Sequence, residues 1–160
     1  MYNLGDSGRK WVKMFTGNFE RSVDSKKRVI LPPIIKNSLG NVFYLSLANE
    51  GKLEIRTPDE FQKFVDRIDE NDQLDPDIKM FKRILMSSTI KVETDKLGRF
   101  LIPDNFFNAI AVKNKVTFVG MGKIIEIWAS EKLASVMKGY EEISSIDNLV
   151  EIMRKKGVKI

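Results

Sequence analysis

The sequence predicts a mixed α+β domain, mainly β, in which two pseudo-symmetric repeats form a barrel with flanking helices. Three observations carry this. "DSKKRVILP" at 24–32 returns as "DKLGRFLIP" at 95–103, each reading Asp, three residues, Arg, three apolar residues and Pro. Around each copy the same succession of strand, turn, strand, short helix and hairpin can be read. Each half then runs into apolar residues at helical spacing. One half offers only four short strands, too little for a separate core. Two halves pairing around a pseudo-twofold axis bury one continuous core, and closing them into a barrel removes open edges.

The elements follow in order. "FERSV" at 19–23 and "TIKVE" at 89–93 are the strands before each copy. Within each copy Asp holds a reversal, the apolar triple is a strand entering the barrel, and Pro ends it. "PIIKNSL" at 33–39 and "DNFFNAI" at 104–110 read as short helices, with Ile35 matching Phe106 and Leu39 matching Ile110. The hairpins are "VFYLSLANEGKLEIR" at 42–56 and "VTFVGMGKIIEIW" at 116–128, whose second strands alternate apolar and charged residues. Thr57 and Glu60 form a capping box with Pro58 at the first helical position, and Phe61, Phe64, Val65 and Ile68 share a face. "NDQLDP" interrupts, and Asp75-Pro76 opens a helix with Ile78, Phe81 and Leu85 on one side. After the second half come Leu133, Val136, Met137 and Tyr140, then Ile146, Leu149, Val150 and Met153, with Gly157 as the stop.

The organisation expected is an extension at 1–13 that is flexible, a first repeat with its helix at 14–70, and a connecting helix at 71–88. A second repeat with its helix follows at 89–143, then a helical tail at 144–160. The extension has no clear periodicity and lacks the apolar centre of a signal peptide.

The chain has no Cys and no His. Disulfides, thiolate and imidazole metal sites, and Ser-His or Cys-His catalysis are excluded, and no enzyme, cofactor or metal is expected, with carboxylate or Lys chemistry left open as a third reading. No apolar run approaches a membrane span, and a cytoplasmic protein is expected. The charge is uneven. Residues 1–40 carry eight Lys/Arg against three Asp/Glu, whereas 41–160 carry nineteen of each. A localised basic patch suits a polyanionic partner, though a solvated tail has the same composition.

Asp24 with Arg28 and Asp95 with Arg99 read first as turn-locking pairs, and Gly98 as a position tolerant of positive φ. The first copy has more company. Arg21, Lys26, Lys27 and Arg28 crowd one turn, which suits phosphate, and Arg can read guanine edges bidentately. The second copy has only Lys96 and Arg99, beside Asp104, and looks structural. "GMGKII" at 120–125 lacks the third Gly of a phosphate loop and reads as a hairpin turn. The acidic run at 66–77 lacks the central Gly and final Glu of an EF-hand and reads as a helix end and linker. Trp128 ends a strand at a helix junction.

From about Met14 to Leu133 the chain resembles the MraZ family of transcriptional regulators, within the AbrB-like swapped-hairpin barrel superfamily. The motifs are "MFTGNFERSVDSKKRVILP", "DKLGRFLIP" and "VGMGKIIEIWASEKL". The resemblance implies a swapped-hairpin barrel and a ring-shaped homo-oligomer. It implies sequence-specific binding to tandem short boxes in double-stranded promoter DNA of the division and cell-wall gene cluster, hence nucleoid association. The DNA-contacting motif falls on Asp24, Lys26 and Arg28, with Arg28 the main reader. Lys27 stands where the family usually has Gly; if the position needs a positive φ, Lys there costs about 1 kcal/mol or the turn differs, and the alternative is an added phosphate contact.

The competing expectation is a protein-interaction module that sequesters a neighbouring enzyme, with the basic turn as its docking site. Apolar helix faces on Phe61, Phe64, Phe81 and Leu85 exceed the needs of one small core and are expected to bury against neighbouring copies.

Overall fold

The computed structural model describes residues 13–141 and 146–160. They fall into two compact units, one ending at Ala129 and one beginning at Ser130. The expected extension at 1–13 lies outside the described residues, Lys13 excepted, as does the start of the tail.

The first unit is mixed α and β, with a mainly antiparallel sheet. Its elements are β1 (Asn18–Ser22), β2 (Arg28–Ile30), α1 (Pro33–Leu39), β3 (Val42–Ala48), β4 (Lys52–Arg56), α2 (Pro58–Asp69), α3 (Pro76–Ser87), β5 (Thr89–Glu93), β6 (Arg99–Leu101), α4 (Asp104–Ala109), β7 (Lys115–Gly120) and β8 (Ile125–Ala129). Local signals act as expected. Thr57 Oγ1 accepts the Glu60 N–H at 3.2 Å and Pro58 opens α2. Asp75 caps α3 through the N–H groups of Asp77 and Ile78. The acidic run at 66–77 spans the end of α2, the joint and the start of α3.

Two halves share one core. The six-stranded sheet runs β1-β7-β8-β4-β3-β5, and β2 pairs with β6 in a separate antiparallel ribbon. The first half's β1 pairs with the second half's β7, and the second half's β5 with the first half's β3. Equivalent strands meet at the centre: Val29 stands opposite Phe100, and Glu54 opposite Glu126. The expected barrel differs from this in its bonding. Among the described residues the main sheet has two edges, β1 and β5, and the ribbon is a second piece.

The apolar triples also depart from the expectation that all three residues enter the barrel. Only their outer members enter the core: Val29, Leu31, Phe100 and Ile102 are buried, while Ile30 and Leu101 point out. A strand alternates, so three successive residues cannot all face inward. Phe43, Phe100 and Phe118 meet edge to face inside the core. Of the helix residues expected to await a neighbour, Phe61 stacks on Tyr44 and is buried, as is Leu85. Phe64 lies under the Arg56 guanidinium at 4.1 Å. Phe81 is exposed on α3, with Met80 and Ile84.

The other face of the central strands holds charge. Lys52, its side chain only 3% exposed, lies 3.2 Å from Glu54 and 3.8 Å from Glu126. Its ammonium therefore separates two carboxylates that directly opposed strands would otherwise bring together. Arg56 adds a 3.0 Å pair to Glu54, and Trp128 Nε1 donates to Glu126 at 2.9 Å.

The second unit consists of α5 (Ser130–Glu141) and α6 (Ile146–Lys155). Leu133 is buried, whereas Met137 and Tyr140 are exposed. Gly157, at φ 78°, ends the last helix where expected, with the Val158 N–H returning to Met153 O at 2.9 Å.

Candidate functional site

The two copies of the repeated pattern form two turns of nearly the same geometry. In the first, the Lys27 N–H closes onto Asp24 O at 3.0 Å. Asp24 Oδ1 accepts the N–H groups of Lys26 and Arg28, and Oδ2 accepts Arg28 Nε at 2.8 Å. In the second, the Gly98 N–H closes onto Asp95 O. Asp95 Oδ1 accepts from Leu97 and Arg99, and Oδ2 from Arg99 Nε at 2.8 Å. The backbone N–H of Arg28, helped by its guanidinium and the Lys26 N–H, holds the Asp24 carboxyl below its ordinary value. The Arg99 and Leu97 groups do the same for Asp95.

Each turn is tied to the other half. The Ile102 N–H donates to Lys27 O at 3.1 Å, and the Leu31 N–H to Gly98 O at 2.9 Å. Lys27 adopts φ 60° and Gly98 φ 78°, so the position does require a left-handed backbone and Lys27 bears the strain. The Lys27 ammonium pairs with Asp104 and lies 5.5 Å from the Phe107 ring centre. Asp104 thus serves the first turn, not the second beside which the sequence order put it. At the matching place in α1 stands Pro33, which offers no carboxylate.

The second turn also gains a cation that sequence reading missed. A β-carbon on Gly98 would lie 3.1 Å from Lys36 Cδ and 3.4 Å from its Nζ, so the Lys36 stem covers this turn. In the first turn Arg28 pairs with Asp24 and Lys27 with Asp104, while in the second Arg99 pairs with Asp95. Arg21 is on β1, opposite Val116, with Nη1 donating to the Glu20 carbonyl.

Between the turns, the β2–β6 ribbon sets Arg28 opposite Leu101 and Ile30 opposite Arg99. All four occupy one outward face. The two guanidinium side chains are equally exposed, at 31% and 30%. As diagonal neighbours in antiparallel strands they start about 7–8 Å apart. Exposure therefore does not rank Arg28 above Arg99. The signal for Ile30 and Leu101 was present in the alternation of the strand; the signal for Lys36 was not, since its neighbour lies 62 residues on.

Other surfaces are less organised. An open cleft of about 410 Å³ on α3 is lined by Gln73, Lys79, Lys82, Arg83 and Met86, with Lys82 held by Asp69 at 2.6 Å. Residues 120–125 connect β7 to β8. Among the described residues no cluster of three or more acidic groups is placed to hold a metal ion, and no helix is long and apolar enough to cross a membrane.

A model of the family described as "MraZ protein, putative antitoxin-like" matches residues 14–84 and again 85–149. The chain is 33% identical over 141 residues to a protein of Mycoplasma mobile named "Transcriptional regulator MraZ", covering 88% of this chain and 97% of that one. Proteins of the same name from Mycoplasmopsis pulmonis and Dictyoglomus thermophilum are each 35% identical, over 89% and 92% of this chain and 97% and 96% of their own. Two matched halves, each carrying the same turn and joined strand to strand, place this chain in the MraZ family.

Proposed function

We propose that this protein is a sequence-specific DNA-binding transcription regulator whose reading head is the β2–β6 ribbon with its two flanking turns. The observation that carries this is the outward face bearing Arg28 and Arg99, bordered by Lys26, Lys96 and Lys36. A two-stranded ribbon fits the major groove of B-DNA. Each Asp occupies only the Nε edge of its Arg in the bonds described, and the Nη groups carry the donors for a bidentate guanine contact. Lys26 and Lys96 suit phosphate. Lys27, engaged with Asp104, contributes less.

The strand exchange between halves agrees with a swapped-hairpin arrangement, and the relatives' name agrees with regulation of transcription. The finer reading is a ring-shaped homo-oligomer engaging tandem short promoter boxes of the division and cell-wall gene cluster, within the nucleoid. Exposed Met80, Phe81 and Ile84 on α3 support self-association.

The test is selection of bound duplexes from a random library by the full chain, then affinity at several salt concentrations. A defined sequence should emerge. Arg28→Ala and Arg99→Ala should each weaken it about tenfold or more, and Lys26→Ala should reduce the salt slope by about one per subunit bound. If no duplex is enriched, or both Arg variants bind like the parent, the ribbon is not a reading head and a protein-docking role takes its place.

A further inference from the structure

Resting on that reading, we infer that Ile30 and Leu101 contact thymine methyl groups in the major groove, so that the ribbon reads thymine as well as guanine. The two residues occupy the same place in the two copies of the pattern. Both are turned outward, at 47% and 57% exposed, while their neighbours on either side are buried. A single exposed aliphatic is ordinary. Here two lie on one small face, each directly across the ladder from a guanidinium: Leu101 from Arg28, Ile30 from Arg99. Opposed Cβ atoms lie about 4.5–5.5 Å apart, close enough for both side chains to meet one base step.

The chemistry selects the occupant. A surface built only for phosphate gains nothing from large aliphatics, which water-facing strand positions ordinarily replace with Thr, Lys or Glu. A purely apolar partner would offer no acceptors to the Nη donors of either arginine, whose carboxylate partners take only the Nε edge. The major-groove floor offers both properties side by side, acceptors on guanine and the C5 methyl on thymine. The face therefore presents two arginine–aliphatic pairs related by the pseudo-twofold axis.

The probe is the selected duplex with each thymine replaced in turn by deoxyuridine. This removes one methyl group and leaves the hydrogen-bonding edge intact. For the parent, at least one replacement should weaken binding about fourfold, the value of one buried methyl. Leu101→Ala or Ile30→Ala should bind the thymine duplex more weakly and show no further loss with deoxyuridine at the matching position. If no replacement affects the parent, or if both variants keep the parent's sensitivity, the inference fails while guanine reading by Arg28 and Arg99 still stands. If the variants instead change the oligomer mass and deoxyuridine has no effect, the face is a contact between copies, which also overturns it. Failure to enrich any duplex would sink the DNA reading itself. Deoxyuridine replacement needs no mutant, so misfolding of a variant cannot obscure the result.

Discussion

Replacing Lys27 by glycine and by alanine separates backbone strain from side-chain contact. Lys27 sits at φ 60°, where its counterpart Gly98 sits at 78°. A side chain in that region costs about 1–2 kcal/mol. Glycine avoids this but loses about 0.5–1 kcal/mol more conformational freedom on folding. Glycine should thus exceed alanine here by about 0.5–1 kcal/mol, the reverse of their order in a helix or strand. Either change also removes the pair with Asp104 and the approach to Phe107. Both contacts are partly exposed, about 0.2–1 kcal/mol for the pair and about 0.5–1 for the ring. Lys27→Ala should then cost about 1–2 kcal/mol and Lys27→Gly about 0–1. Urea unfolding at one protein concentration, followed by circular dichroism, measures both, and equal slopes make the midpoints comparable. Alanine as stable as glycine would mean that residue 27 is not held in the left-handed region. The mirror change, Gly98→Ala, should cost about 1 kcal/mol, since the flexible Lys36 stem can give way to the new methyl.

Three further outcomes follow from burial, backbone approach and titration. Lys52→Ala should destabilise by about 3–5 kcal/mol in urea unfolding, because it removes the buried cation between Glu54 and Glu126 and leaves Arg56 on Glu54 alone, whereas Lys63→Ala, whose side chain is exposed on α2, should cost under about 0.5. Gly120→Ala would drive a β-carbon into the backbone at Phe15 and Thr16, so it should expose the amides of Phe15 and Gly122 to hydrogen exchange, and unchanged protection there would refute the close approach. Asp24 is held below its ordinary 3.8, so its stabilising effect is present above that value and is lost as pH falls through the lower folded-state value; the melting gap between parent and Asp24→Asn should persist from neutral pH to about 4 and close below it.

What could be read in the sequence was mostly local. Pro33, Thr57 with Pro58, and Asp75 with Pro76 start helices wherever they stand, because capping and the fixed φ of proline act within one turn. The repeat exposed the two turns and their Asp–Arg locks. What escaped were contacts whose partners lie a half-molecule away. Asp104 looked like a neighbour of Arg99 and is the partner of Lys27; Lys36 looked like an ordinary helix cation and covers Gly98. Likewise "KLEIR" announced a strand, but its alternation suggested a wet face where Lys52 and Arg56 are buried. Charge in a strand signals exposure, and only pairing across the strands makes its burial tolerable.

The exchange of strands between halves also sets a timetable for synthesis. Four of the six ladders, β1–β7, β2–β6, β3–β5 and β4–β8, join residues from opposite halves. When β1 leaves the ribosome its partner at Lys115–Gly120 has yet to be translated. At about 5–20 residues per second, that strand waits on the order of ten seconds with its hydrogen-bonding groups unmatched. The fold is therefore completed only after β7 and β8 have been made, and the first half alone lacks the partners of β1, β2 and one side each of β3 and β4.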